Sequence, residues 1–354
     1  MKQILIHMPQ PLSASGYYRA LLPYRHCHKE LEAEGIKLSI ADQVRIGSHY
    51  DAVIMRREVD VAYTLHLNQR RRKDGCKIVW DVDDNFWDVP DWSPVKYSRE
   101  QMEEIDLFHE ICDEVWASTE PLAKKCGVKA KVLPNLADLD DWFPDKLGLR
   151  EAIATGSIAK RSVYTSPIIR EDKKEVRILW SGSSTHRRDI ELCSSSILEA
   201  SGKYPFVKFH FYGYCPEPLL AALFPNNLVF HKWTDLDGYW KTLREIKPTI
   251  ALAPLDNCEF NTSKSGIRWL EGTLAGAAVI ASECEAYHDA SYCVGSSFAR
   301  TWKEALSELI ESNGFFGKTS HVKTRDHETI ANKWCWQAKD QKERWIRAFR
   351  TIVM

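Results

Sequence analysis

A chain of 354 residues with 44% hydrophobic and 27% charged residues is too long for one core and too apolar for a disordered protein, so two globular domains are expected. Its net charge of -1 and pI near 6.9 exclude a global pull toward nucleic acid or anionic membranes, and any polyanion has to be held by a local patch. Ten cysteines without a C-x-x-C pair argue against a zinc module or a disulfide framework and for a reducing, cytoplasmic setting, and no run of about 18 apolar residues offers a membrane span.

The apolar run at residues 4–8 is too short for a signal peptide and reads as a first strand. Further strand candidates at residues 38–41, 52–55, 77–80, 114–117 and 131–133 alternate with helical stretches such as 18–34 and 99–112. That alternation predicts a parallel sheet with helices on both faces, whose ligands bind beyond the carboxyl ends of the strands. Residues 146–175 lack an apolar period and carry polar breakers. A second alternation follows, with strands at 176–180, 207–212, 228–231, 249–253, 278–281 and 292–294. The expected plan is α/β throughout: a Rossmann-like domain over 1–150, a linker over 151–175 and a second Rossmann-like domain over 176–330. One amphipathic helix over 331–354, with Trp334, Trp336, Trp345 and Phe349, completes it.

Several constellations carry chemistry. Ser13 to Arg19 is a glycine-bearing loop that opens a helix. Gly16 and Tyr18 could hold a phosphate or an acceptor there with Arg19 adding charge, and an ordinary turn fits equally well. Arg70-Arg71-Arg72-Lys73 reads as a solvated helix face or as a basic patch for a polyanionic acceptor. Asp81, Asp83 and Asp84 place three carboxylates at the end of a buried strand, where their repulsion calls for a cation, an arginine or a substrate hydroxyl.

In the second half, residues 178–189 form a strand, a Gly/Ser loop and a helix start. Gly182, Ser183, His186 and Arg188 there are a candidate phosphate cradle, against a plain turn with Asp189 in the first helical turn. Tyr212 ends a strand and Trp233 follows the next, and most such aromatics are core. From Asn261 the chain reads as a loop that enters a helix at Ser263 or Ser265 and leaves it near Gly276, with Lys264, Arg268 and Glu271 on one stripe of the helix and Ile267, Leu270 and Leu274 on another. Lys264, Ser265, Gly266 and Arg268 then suit a diphosphate and Glu271 ribose hydroxyls; a solvated helix with an Arg268–Glu271 pair is the plainer alternative.

The stretch 261–282 resembles the donor-site helix of retaining GT-B glycosyltransferases of family four, where a glycine loop, a helix with a Glu and an Ala-Val-Ile-Ala-Ser strand succeed one another. Glu271 matches the second of that family's two glutamates, and Ser263 stands at the first. Asn261-x-x-Lys264-Ser265 resembles a phage and bacterial sub-group that shares Asp-Asp-x-x-Trp, here Asp83 to Trp87. The resemblance implies two Rossmann-like domains facing a cleft, with the C-terminal helix crossing back to the first. It also implies sugar transfer with retention from a UDP- or GDP-sugar to a hydroxyl, with no obligate metal. Gly182, Ser183, His186, Arg188, Lys264, Ser265, Gly266, Arg268 and Glu271 would bind the donor, and Gly16, Tyr18 and Arg19 would face the acceptor. Asp83 or Asp84 would orient the acceptor hydroxyl or take its proton. Tyr212 resembles the family's strand end beneath the nucleotide base, which implies a base platform there with Trp233. The acceptor could be a glycan or a hydroxymethylated pyrimidine in phage DNA. Two alternatives stand beside it. Asp81-x-Asp83 resembles the metal pair of the other glycosyltransferase fold, GT-A, and the substituted Ser263 leaves open a non-catalytic nucleotide- or sugar-binding protein.

Overall fold

The computed structural model describes residues 1–9, 13–42, 44, 48–56, 61–142, 175–223, 225–313 and 318–354. They divide into two compact units. The first comprises Met1–Asp138, Thr262–Ser265 and Trp336–Met354, and the second Leu139–Asn261 and Gly266–Cys335. The linker expected over 151–175 lies, but for Glu175, outside the described residues.

In the first unit, β1 (Lys2–His7), β2 (Ile36–Ala41), β3 (Ala52–Arg56), β4 (Lys77–Val82), β5 (Glu114–Ala117) and β6 (Ala130–Val132) form one parallel sheet in the order β2-β1-β3-β4-β5-β6. The cause is legible in the residues. β3 is buried at every position and β4 at all but its first, as strands covered on both faces must be. Leu5, Val53, Ile78, Trp80 and Val115 share a core with Phe108 of the helix Arg99–Ile111, which Ser98 and Gln101 start with a capping box.

In the second unit, β7 (Val176–Gly182), β8 (Val207–Gly213), β9 (Leu228–His231), β10 (Ile250–Ala253), β11 (Ala278–Ser282) and β12 (Cys293–Val294) give a second parallel sheet, in the order β12-β11-β10-β7-β8-β9. The chain runs outward from β7 through β8 to β9, then returns to the other side of β7 as β10. Strand order therefore reverses between β7 and β10. At such a point the loops leaving the two strands part in opposite directions and open a crevice. The first sheet has its own reversal between β1 and β3.

Two helical expectations are corrected. Residues 331–354 are not one helix: Lys318–Lys333 and Lys339–Thr351 are separate, the second belonging to the first unit. No glycine or proline marks the break. It occurs where the Trp336 amide donates to the Ala137 carbonyl at 3.0 Å, the Trp336 ring stacks on His26 at 4.9 Å, and the Gln337 amide donates to Asp138 at 2.9 Å. The helix expected to begin at Ser263 or Ser265 and to end near Gly276 begins later, at Ile267. A turn at Glu259–Thr262 is followed by the helix Ile267–Leu274, whose N-cap is Gly266 without a side-chain cap. Between them the Ser263 carbonyl accepts from the Thr119 hydroxyl at 2.9 Å, and the Ser265 hydroxyl accepts from the Asn135 amide at 2.8 Å.

Candidate active site

The first unit gathers its acids at the carboxyl end of β4. Asp81 is buried, and both its oxygens accept from Arg19, Oδ1 from Nε at 2.8 Å and Oδ2 from Nη2 at 2.7 Å. Burial pushes the Asp81 carboxyl up, and the guanidinium opposes it. Arg19 is equally enclosed: it donates to the Leu133 carbonyl and to Asn135, and lies 4.9 Å from the centre of the Trp345 ring. Reading Asp81 with Asp83 as a metal pair is corrected on this geometry, because Arg19 occupies both Asp81 oxygens. Asp84 pairs with Lys264, which belongs to this unit. Asp83 accepts the Ser15 hydroxyl on Oδ2, while its Oδ1 is buried with no hydrogen-bond partner among the described residues. Each acid of the cluster thus has its own answer to the mutual repulsion among the described residues: an arginine for Asp81, a lysine for Asp84 and a hydroxyl for Asp83.

The loop before this cluster differs from a bare phosphate cradle. The Gly16 amide donates to the Ser13 hydroxyl at 3.0 Å, and Tyr18 is buried edge-on against Tyr17 in a π-helical turn over Tyr17–Leu21. The basic run is not one exposed face either. Arg70 is buried, with its guanidinium bonded to the Ser48 carbonyl, and Arg71 donates to Asp113 at 3.1 Å.

The second unit builds its cluster at the crevice between β7 and β10. A Cβ on Gly182 would stand 2.8 Å from the Trp180 ring and 3.3 Å from Arg268 Nη2, so only glycine fits there. Arg268, from the helix Ile267–Leu274, lies over the Trp180 ring at 5.8 Å and donates to the Pro254 carbonyl at 3.3 Å, which puts a cation at the ends of both strands. Gly266 is confined by the Ala286 carbonyl, 2.6 Å from where its Cβ would be; packing is what the structure shows at this glycine.

After Ser183, whose hydroxyl bonds with Thr185 at 2.6 Å, a 3-10 turn over Ser184–His186 leads into the helix Arg187–Lys203. Asp189 on that helix is the residue that sequence reasoning left as an ordinary first-turn acid. Its Oδ2 meets His186 Nδ1 at 2.7 Å, and its Oδ1 accepts from the Asp256 amide at 2.8 Å and Asn261 Nδ2 at 3.0 Å. Burial alone would raise this carboxyl. The hydrogen bond from His186 and the charges of His186 and Arg268 hold it below the usual carboxylate value. The only signal in the sequence was the i, i+3 spacing of His186 and Asp189. Arg188 is exposed and makes no hydrogen bond or ion pair with another described residue.

Glu271 is buried and accepts from the Tyr239 hydroxyl at 2.7 Å, which in turn lies 3.2 Å from the Ser181 hydroxyl at the end of β7. Burial and then the Glu271 charge push the Tyr239 phenol well up, so it serves as a donor. Next to β7, Gly213 takes φ +87° under Trp233, whose ring would be 2.6 Å from a Cβ there, and Trp233 itself remains 66% exposed. Thr234 anchors that loop by donating its amide to the Tyr212 hydroxyl at 3.0 Å. Among the described residues no group of three or more His, Cys, Asp and Glu is arranged to hold a metal ion, and no helix is long and apolar enough to cross a membrane.

Neither a protein-family model nor a curated protein matches the chain. Solved structures do. Sucrose-phosphate synthase from Thermosynechococcus elongatus superposes with a TM-score of 0.63 at 11% identity, over 99% of each chain. The two-domain α/β architecture is that of GT-B. A glycosyltransferase from Rickettsia africae ESF-5 reaches 0.59 at 13% identity, over 99% of this chain and 98% of the other. The pneumococcal O-GlcNAc transferase GtfA in complex with UDP and GlcNAc reaches 0.50 at 13%, over 85% of this chain and 57% of the other. At such identities the likeness is one of fold.

Proposed function

We propose that the chain is a glycosyltransferase that moves a sugar from a nucleoside diphosphate sugar, UDP- or GDP-linked, to a hydroxyl acceptor with retention of configuration. The observation that carries the reading is the cation at the reversal of the second sheet: Arg268 beside Gly182 and the Pro254 carbonyl, where open α/β sheets take nucleotides. In this reading the second unit is the donor domain. Arg268 and Arg188 neutralise the charge that develops on the leaving diphosphate, the main electrostatic demand of the step. Glu271, oriented by Tyr239, accepts from the ribose hydroxyls, and Trp233 offers a face to the base. The first unit is the acceptor domain. There Asp83 Oδ1 receives the acceptor hydroxyl and orients it or takes its proton, while Asp84 is paired with Lys264. Since Arg70 and Arg71 are engaged within the first unit, the acceptor assigned is a glycan or small molecule rather than DNA.

Calorimetric titration with a panel of nucleotide sugars, followed by assays of donor hydrolysis and transfer, tests the reading. One nucleotide class should bind, and Arg268→Ala should weaken it by about 1.5–3 kcal/mol, the worth of a hydrogen bond to a charged group. Asp83→Asn should keep donor affinity and lose turnover. Turnover that survives Asp83→Asn would move the acceptor chemistry elsewhere, and a wild-type protein that binds but never turns over would be a binding protein. Activity that collapses steeply with salt would restore a polyanionic acceptor.

A further inference from the structure

The bond set of Asp189 exceeds what a helix start requires. Within the second unit this one carboxylate, 1% exposed, ties together the turn carrying His186, the loop after β10 through the Asp256 amide, and the turn Glu259–Thr262 through Asn261. Asn261 also donates to the Asp256 carbonyl at 2.9 Å, which closes a small network. The Asp189 carboxylate is acceptor-only, so Nδ1 of His186 carries the proton facing it. The imidazole keeps 24% of its surface exposed, on the turn that leaves β7 four residues after Gly182.

We infer that Asp189 is the positioning residue of the diphosphate site: it orients His186 and favours its imidazolium, so that donor affinity is set by pH through His186. The inference rests on the donor reading given above and adds a switch to it. The ionisable groups around the pair come from four segments. Arg187 and Arg188 flank it on its own helix, Asp256 and Cys258 lie on the loop after β10, Arg268 on the helix Ile267–Leu274, and Cys284 and Tyr287 after β11. Arginine stays charged, and burial pushes the Cys258 thiol up and the Cys284 thiol up to about 11. By type, His186 is the group of this set that changes charge near neutrality. As pH rises through its titration the imidazolium is lost, and an anion loses one charge-assisted contact. Removing the carboxylate removes the preference for imidazolium and shifts that loss to lower pH.

The test is titration of the whole protein with UDP-glucose and GDP-mannose, whose diester phosphates do not titrate in this range, from about pH 5.5 to about pH 8.5. Wild-type affinity for the bound donor should fall about ten-fold across the range, the worth of one charge-assisted contact. In Asp189→Asn the midpoint should move to lower pH, and in His186→Gln affinity should be low and flat. A purely structural role for Asp189 would weaken binding without moving the midpoint. If Asp189→Asn does not fold, wild type against His186→Gln decides. A wild-type protein that binds a donor with no pH dependence overturns this inference and leaves the donor reading standing. One that binds neither nucleotide sugar overturns both.

Discussion

At the scale of single residues, close approach and charge compensation decide what each side chain can do. Gly182 and Gly266 look alike in sequence, as phosphate-loop glycines, yet the first is required by the Trp180 ring and Arg268 and the second by the Ala286 carbonyl. Gly182→Ala forces either the indole or the guanidinium to move. It should cost about 1–3 kcal/mol of stability, as overpacking does, and lower nucleotide-sugar affinity as well. Thermal unfolding and calorimetry read the two effects separately, and an alanine variant of unchanged Tm and affinity would count against the tight contact. The three aspartates teach a related point. Their spacing announces a cluster needing partners, but it does not say that Arg19, 62 residues earlier, bonds both oxygens of Asp81, or that Asp83 Oδ1 is buried without a hydrogen-bond partner among the described residues.

At the scale of elements, strands were legible and helix ends were not. The twelve strands among the described residues stand where apolar runs place them; central strands such as β3 and β4, covered on both faces, have little other composition available. The helix break after Lys333 carries no such local signature. Residues 330–354 contain neither glycine nor proline, and their propensity is met equally by one helix or by two. The break follows from what Trp336 and Gln337 bond to, and it frees Lys339–Thr351 to lie on the first unit. There Trp345 and Phe349 are fully buried edge-on to Trp116, and Arg350 donates to Glu34 at 2.7 Å. Trp345→Ala should therefore cost about 3–5 kcal/mol, as deletion of a buried indole does. Urea denaturation measures it; a loss below about 1 kcal/mol, the size typical of a surface change, would mean that the helix contributes little to that core.

At the scale of the whole molecule, two buried histidines predict how stability follows pH. Burial pushes the His327 imidazole down to about 4, and it does the same to His210, which stacks on His231. Both are neutral when folded and take up protons more readily when unfolded. Stability is therefore full above about pH 6.5, the ordinary histidine value, and is lost as pH falls toward about 4. For His327 the loss is about 3 kcal/mol, one pKa unit being worth about 1.4 kcal/mol. Denaturation of wild type and His327→Gln at neutral and at acid pH isolates this contribution from that of the carboxylates. Equal acid sensitivity in the two proteins would mean that His327 is already solvated in the folded state.

What the amino-acid sequence determined by itself was everything that depends on local pattern: two α/β halves, the strands of both sheets, the loops at their carboxyl ends, and the residue types gathered there. Apolar periodicity and turn chemistry act over a few residues, so they can be read along the chain. The tertiary structure alone decided which donor faces which acid. Arg19 is given to Asp81, Lys264 to Asp84, His186 to Asp189 and Tyr239 to Glu271, and strand order reverses between β7 and β10. Three of these pairings join residues far apart in sequence. They exist because strand order brings distant loops to one edge of a sheet, where a buried charge has to find its partner.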